Sequence, residues 1–326
     1  MPGARPVPGR SGLGRNVTCN FRGPRRGETA SRDGSRSARF DVANLEANTG
    51  KSGRAMFHVR HVDSLNLPEL APYRTMRRHH DHVQQRIFVA EGEKVVRRLL
   101  ESDFTVVSAL MPEKWVGELE LLLKARPEDI PVFIAPKEQL EQIIGFSMYQ
   151  GVMAVGRFPK PIPLEGILDT AVRPHLLLAL EGLTSAENLG VIVRNAAAFG
   201  VHALIVGETC STPYLRRAVR NSMGTIFKLP VVQPPVLIET LRQLRQRGVR
   251  CIAADGHSRQ ATLARCDLAG DSCIVLGSEG YGLSPSVLEA CDQNVAIPMA
   301  NEVDSLNVGN AAAVFLYEAN RQRGRM

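Results

Sequence analysis

Residues 181–200 have the sequence EGLTSAENLGVIVRNAAAFG, and together with two later stretches they decide the fold class. The later stretches are IVLGSEGYGLS at 274–284 and VAIPMANEVDSLNVGNAAAVFLYE at 295–318. Each joins a strand-like apolar run to a glycine-rich or amide-rich loop, and then to a helix-like segment. Because ligands bind at the carboxyl ends of the strands in open α/β sheets, we expect the three loops to form one ligand site.

The first stretch predicts a strand that ends at Glu181 and a helix that begins near Asn188. Arg194 lies at the edge of the apolar stripe of this helix. It is either a functional residue or an ordinary surface arginine, the usual role of a charged side chain on an amphipathic helix. The stripe itself would pack on the sheet, and it consists of Leu189, Ile192, Val193 and Ala196.

The second stretch places Gly277, Gly280 and Gly282 after a late strand. These glycines allow a backbone to approach a ligand closely. They do not form the dinucleotide fingerprint, which follows the first strand of a βαβ unit. Glu279 lies inside the turn, and it is either a site residue or a solvated loop carboxylate.

The third stretch predicts a strand that ends at Pro298-Met299, followed by a polar loop and a helix that opens at Ser305-Leu306-Asn307. Ser305 is a candidate site residue. It has an equally simple alternative role as the N-cap of that last helix.

The chain divides by composition into four parts. Residues 1–55 are rich in Arg, Gly, Ser and Pro, and we expect them to be a disordered basic tail. Residues 56–158 predict a small α/β domain, 159–169 a proline-rich linker, and 170–326 a second α/β domain with a mostly parallel sheet. The tail is open to three interpretations: an RNA-attracting arm, a mitochondrial-type presequence, or the product of a start codon upstream of a true start at Met56.

Charge and cysteine content narrow the classes of protein. Residues 1–55 contain eleven basic and four acidic side chains, which leaves 29 of each in the rest of the chain. RNA binding by the folded part must therefore depend on local patches. No apolar run is long enough to cross a membrane, and the six cysteines show no CxxC pair and no zinc spacing. We expect a cytoplasmic protein with reduced thiols.

Two clusters of arginines suit contacts with RNA phosphates. The first is Arg74, Arg77 and Arg78, and the second includes Arg216 and Arg217. Each cluster is equally well explained as a solvated surface. The histidine-rich run beside the first cluster does not predict a metal site, because no carboxylate or cysteine cluster accompanies it.

Residues 56–326 resemble the SpoU family of RNA ribose 2′-O-methyltransferases, also called the TrmH family, in the SPOUT superfamily. The resemblance rests on N-x-G-x-I-x-R at 188–194, GSEGYGLS at 277–284 and IPM…SLNV at 297–308, with AEGEKVV at 90–96 in the first domain. It implies a trefoil-knotted C-terminal domain, preceded by a substrate-binding domain similar to ribosomal protein L30e. It also implies S-adenosylmethionine as cofactor, RNA as the partner without DNA or membrane, and a homodimer.

The resemblance also assigns roles to residues. The catalytic set would be Arg194, Asn188, Glu279, Ser305 and Asn307, with Glu279 able to hold Arg194 in place. Because an arginine is not deprotonated in a protein, we interpret Arg194 as a clamp on the phosphate of the target nucleotide and not as a general base. The cofactor would be held by Leu276, Gly277, Gly280, Ile297, Met299, Ser305, Leu306 and Asn307.

Two other functions remain open at this point. One is an RNA-binding protein with the same fold and no catalysis, which the intact candidate residues disfavour. The other is a Rossmann-type methyltransferase, which the missing early glycine fingerprint disfavours. The sequence does not distinguish ribosomal RNA from tRNA as the substrate.

Overall fold

The structure is a computed structural model that describes residues 57–325 except 65, 148, 149, 260 and 302. All described residues belong to one compact unit of the chain. The predicted basic tail of residues 1–55 and the alternative start at Met56 lie outside the described residues.

The first half of the described chain forms a mixed five-stranded sheet with short helices around it. Its strands are β1 (His58–His61), β2 (Ile87–Glu91), β3 (Val106–Met111), β4 (Pro131–Ile134) and β5 (Met153–Arg157). Its helices are α1 (Ala71–Arg74), α2 (His79–Gln84), α3 (Glu93–Leu100), α4 (Lys114–Lys124) and α5 (Lys137–Ile144). The strand order is β1-β4-β3-β5-β2, with β5 antiparallel to both of its neighbours. The expected small α/β domain corresponds to this sheet.

The second half forms a seven-stranded sheet in which the recorded strand pairs are parallel. Its strands are β6 (Leu176–Leu180), β7 (Ala203–Val206), β8 (Val231–Val232), β9 (Arg250–Ala254), β10 (Ala261–Thr262), β11 (Ser272–Leu276) and β12 (Gln293–Ala296). Its helices are α6 (Leu164–Thr170), α7 (Ala186–Ala198), α8 (Arg216–Asn221), α9 (Leu237–Gln246), α10 (Pro285–Ala290) and α11 (Val308–Gln322). The order is β10-β12-β9-β11-β6-β7-β8. Because β6, β11 and β12 run in the same direction, the three predicted motif loops all begin at the carboxyl ends of the strands.

The core of this sheet follows from its apolar runs. Every residue of β6 is buried, as expected for a strand of a parallel sheet covered on both faces. The four predicted stripe residues of α7 are fully buried, which confirms that this helix packs on the sheet. The predicted linker, 159–169, includes most of α6, so its part without regular structure is residues 159–163.

An aromatic cluster joins the two sheets. Phe88 on β2 stacks on Tyr214 with ring centroids 6.0 Å apart and on Phe227 at 5.6 Å. Phe158 reaches Tyr214 at 5.0 Å, and Phe104 reaches Phe227 at 5.3 Å. The small sheet is thus packed against Tyr214, which precedes α8, and Phe227, which follows α8.

Candidate functional site

A cleft of about 570 Å³ opens at the carboxyl ends of β9, β11 and β12. Its walls are the loops after these strands and the start of α11. All eight residues predicted to bind the cofactor line it: Leu276, Gly277, Gly280, Ile297, Met299, Ser305, Leu306 and Asn307. The cleft thus brings together residues that are up to 31 positions apart in the sequence.

Sequence reasoning missed several residues of this cleft. Asp255 and His257 follow β9, and Asp304 precedes the last helix. The signal for Asp255 was available, because an acidic residue at the carboxyl end of a central parallel strand lies where ligands bind.

A chain of side-chain hydrogen bonds connects the three motif loops. The Asn307 side-chain NH2 group donates to the Asn188 side-chain oxygen at 3.1 Å. The Asn188 side-chain NH2 group in turn donates to the Glu279 carboxylate. The side-chain oxygen of Asn307 accepts the backbone N–H of Gly309 at 2.9 Å. Asn188, Glu279 and Asn307, one from each of the three stretches, are therefore held in a single polar network.

Helix capping explains why these side chains occupy these positions. The Ser185 hydroxyl accepts the backbone N–H of Asn188 at 3.3 Å and begins α7. Asn307 caps α11 in the same manner. Ser305 therefore lies two residues before the cap, so the simple interpretation of Ser305 as the N-cap is wrong. Its side chain is exposed at the cleft.

The glycine loop after β11 is closed on itself. The backbone N–H of Ser278 donates to the Gly282 carbonyl at 3.1 Å, and the Gly282 N–H returns to Ser278 at 3.0 Å. A Cβ at Gly277 would lie 2.2 Å from the carbonyl carbon of Gly282. Gly280 has no heavy atom within 4 Å of such a Cβ. The loop therefore needs glycine at 277 for its own folding, whereas position 280 faces open space.

Arg194 lies on the exposed side of α7. Among the residues that the structure describes, its guanidinium has no hydrogen-bond or ion-pair partner. The Glu279 carboxylate, expected to hold Arg194, instead accepts from Asn188. Arg194 is thus a cation available to a ligand.

The first predicted RNA cluster lies on and beside α1. Arg74 donates to the Leu67 carbonyl at 2.9 Å. The guanidinium of Arg77 lies over the Phe146 ring, 4.7 Å from its centroid, and Arg78 is exposed. The guanidinium groups of Arg77 and Arg78 are therefore accessible at the protein surface.

The second predicted RNA cluster is divided by the fold. Arg216 is buried, and its guanidinium forms an ion pair with the buried carboxylate of Glu91. Arg220 reaches the same carboxylate at 2.8 Å. Arg217 is exposed and pairs with Glu187 at 3.0 Å. Arg216 thus joins the two sheets, and Arg217 is the member that faces solvent.

The described part of the chain has neither a metal-binding cluster nor a membrane-spanning helix. No group of three or more His, Cys, Asp or Glu side chains there is arranged to hold a metal ion. No helix among those residues is long and apolar enough to cross a membrane.

Comparison with known proteins adds family matches to this geometry. The model of the SpoU rRNA methylase family matches residues 175–317, and a model for RNA 2′-O ribose methyltransferase substrate binding matches residues 89–161. The chain is 34% identical over 239 residues to an uncharacterized tRNA/rRNA methyltransferase of Mycobacterium tuberculosis, covering 72% of this chain and 81% of that one.

Two further relatives have more specific names. The chain is 37% identical over 205 residues to the 23S rRNA (guanosine-2′-O-)-methyltransferase RlmB of Ralstonia nicotianae, covering 63% of this chain and 82% of that one. Its fold is similar to the crystal structure of the SpoU methyltransferase AviRb from Streptomyces viridochromogenes in complex with AdoMet. The TM-score is 0.68 at 27% identity, and the match covers 78% of this chain and 97% of that one.

Proposed function

The chain belongs to the SpoU family of RNA methylases and is an S-adenosylmethionine-dependent RNA 2′-O-ribose methyltransferase, and we propose that it acts on ribosomal RNA. The observation that carries the proposal is that the second and third motif loops line one cleft, and that the first motif loop is tied to both of them by the Asn307–Asn188–Glu279 hydrogen bonds. The relative named as a 23S rRNA methyltransferase supports ribosomal RNA as the substrate.

The cleft fits the cofactor in size and chemistry. Its volume of about 570 Å³ lies within the range of roughly 300–1,000 Å³ that is typical of small-molecule sites. Leu276, Ile297, Met299 and Leu306 supply apolar walls, and the open side of Gly280 lets a ligand approach the backbone. S-adenosylmethionine, when bound, supplies a methyl group on a positively charged sulfur. These residues would hold it by shape and by backbone contacts.

Asn188, Glu279 and Asn307 would keep the three loops in register around the reacting groups. Each of the two amides is fixed by a partner on another loop, so the cleft keeps its geometry before the substrate binds. Arg194 would hold the phosphate of the target nucleotide. A guanidinium has five N–H donors and no acceptor, so it binds phosphate well and does not remove the ribose proton itself.

We further propose that the enzyme is a cytoplasmic homodimer. Val314 and Tyr317 are apolar or aromatic side chains exposed on α11, and Tyr281 is 96% exposed at the mouth of the cleft. Val314 and Tyr317, three positions apart and so neighbours on one face of α11, favour a subunit contact there. The α11 helix packs along α7, so such a contact would place Arg194 near it. The trefoil knot and the L30e-like fold of the small domain belong to the same proposal.

Calorimetry and methylation assays together test the proposal. Purified protein should bind S-adenosylmethionine and not NAD, and it should methylate a ribose 2′-hydroxyl in ribosomal RNA from a strain that lacks the gene. Binding of NAD with none of S-adenosylmethionine would overturn the cofactor assignment. Cofactor and RNA binding with no methyl transfer would favour the alternative of a non-catalytic RNA-binding protein.

Arg194→Ala tests the role of the clamp. We expect turnover to fall by about 100-fold or more, because loss of a positioning contact has an effect of this order. The dissociation constant for S-adenosylmethionine should remain near that of the wild type, since Arg194 does not line the cleft. Arg247→Ala, which removes another exposed arginine far from the site, is the control. Equal losses of cofactor affinity and turnover would place Arg194 in the cofactor site instead.

A further inference from the structure

A second cleft, of about 620 Å³, lies between α2 of the small domain and the start of α7. It shares no lining residue with the cofactor cleft. We propose that this second cleft binds the phosphodiester backbone of a single-stranded RNA segment and leads the target nucleotide to Asn188. The inference rests on the proposed function and adds to it a path for the substrate.

The lining of the second cleft has the chemistry that phosphate requires. Its cationic and imidazole groups come from Arg217, His79 and His80, and its hydroxyl groups from both neighbouring loops. Phosphate oxygens accept hydrogen bonds from arginine, serine and threonine side chains, and such contacts position a nucleic acid. The hydroxyl groups belong to Thr184, Ser185, Ser211 and Thr212.

The lining of the second cleft contains one cationic side chain, Arg217, and one carboxylate, Glu187. Desolvation, followed by the positive charges of Arg216 and Arg217, lowers the pKa of His79, whereas Glu187 opposes this shift. Glu187 pairs with Arg217 at 3.0 Å, and both side chains are more than half exposed. Exposed ion pairs are worth little, so a phosphate can replace Glu187 as the partner of Arg217.

The position of this cleft relative to the candidate active site supports the path. Ser185 lines the cleft and also caps the backbone N–H of Asn188. Glu187 lines the cleft, and the next residue, Asn188, belongs to the hydrogen-bonded network of the active site. The two sites therefore lie on the same first turn of α7, about 5 Å long.

The two walls come from the two domains, which explains why the buried Glu91–Arg216 pair matters to the substrate. Arg216 begins α8, and the next residue is Arg217 in the wall of the cleft. The pair fixes α8 against β2, and so it fixes the distance between Arg217 and the histidines of α2. A single strand whose bases are free of pairing suits this site better than a duplex, since sequence-specific RNA recognition targets unpaired segments.

Opposite charge changes in the second cleft test the inference. The probe is a fluorescently labelled transcript of 23S ribosomal RNA, and its affinity is measured by anisotropy over a series of salt concentrations. Arg217→Gln should weaken binding several-fold and reduce the slope of log affinity against log salt by about 0.7 to 1. Glu187→Gln should strengthen binding, because it removes the carboxylate that competes with phosphate.

The matched control is Arg247→Gln. Arg247 is an exposed arginine with a similar ion pair, at 3.2 Å to Asp169, and it lines neither cleft. If Arg217→Gln and Glu187→Gln both bind like the wild type, or if Arg247→Gln weakens binding as much as Arg217→Gln, the inference is wrong. Calorimetry with S-adenosylmethionine separates this failure from failure of the proposed function, because cofactor binding should be unchanged in all three variants.

Discussion

Two glutamates, Glu279 and Glu91, lie in two different regions of this enzyme, and one is exposed whereas the other is buried. Glu279, in the glycine loop that lines the cleft after β11, is exposed and accepts a hydrogen bond from an uncharged amide. Glu91, at the end of β2, is buried and accepts from Arg216 and Arg220. A carboxylate at an exposed loop remains available to a ligand, whereas a buried one must be neutralised by cations of the protein.

The comparison shows that the packing around an arginine decides whether it has a structural role or lies at the surface. Arg216 and Arg217 are neighbours in the sequence, and both were predicted to contact RNA. Arg216 points into the contact between the two sheets and forms an ion pair with Glu91, while Arg217 faces solvent beside Glu187. The partner of Arg216 lies more than a hundred positions away in the sequence, whereas the partner of Arg217 is a residue at the surface, Glu187.

Removal of Glu91 should lower stability, whereas removal of Glu279 should lower activity. Glu91→Ala leaves Arg216 buried without its anion, and we expect the free energy of unfolding to fall by about 3–5 kcal/mol. Glu279→Ala should lower methyl transfer while changing stability by less than about 1 kcal/mol. Urea unfolding and a methylation assay measure both effects. A Glu91→Ala protein with unfolding free energy equal to that of the wild type would show that the pair does not hold the sheets together.

Substitution of glycines within the cofactor loop separates folding of the loop from ligand binding. Gly277→Ala should reduce stability by about 3 kcal/mol, since the new Cβ meets the backbone of Gly282 at 2.2 Å. Gly280→Ala should fold normally, because its Cβ would meet nothing within 4 Å, yet bind S-adenosylmethionine more weakly. Thermal unfolding and calorimetry distinguish the two. Unchanged cofactor affinity in Gly280→Ala would place the cofactor elsewhere in the cleft.

The aromatic contact between the sheets offers a third comparison. Gly156→Ala would place a Cβ 2.4 Å from the ring of Phe88, and we expect a loss of about 1–3 kcal/mol in unfolding free energy. Gly117→Ala lies in α4 with nothing within 4 Å, and it should stabilise the protein by roughly 0.5–1 kcal/mol. If both substitutions stabilise the protein, the ring of Phe88 moves more freely than its burial indicates.

Deletion of residues 1–55 should have the smallest effect. A protein that starts at Met56 is expected to keep its melting temperature and to methylate the same nucleotide, since the motif loops are far along the chain. The eleven basic side chains of the deleted segment would add only nonspecific RNA affinity, which fades as salt rises. Unfolding of the shortened protein, or a changed target nucleotide, would place the segment in the folded enzyme.

The stretches that line the cleft after β11 and β12 could be predicted because each of them is local in the sequence. A strand, a glycine or amide loop and a helix follow one another within about twenty residues, and the carboxyl ends of parallel strands meet at one edge. Ser305 was harder to interpret, because the choice between Ser305 and Asn307 as the N-cap depends on where the helix begins, and helix ends are poorly specified by sequence.

The sequence by itself determined the α/β class and the residues of the three motif loops, because these follow from short-range patterns. Those motifs carry the resemblance to the SpoU family, and the resemblance implies the cofactor. Only the tertiary structure decided which polar side chains meet. It joined Glu279 to Asn188 and not to Arg194, and it brought Glu91 to Arg216. The physical reason is that burial and pairing of a charge depend on which surfaces pack together, and the type of a residue does not indicate which distant residues it contacts.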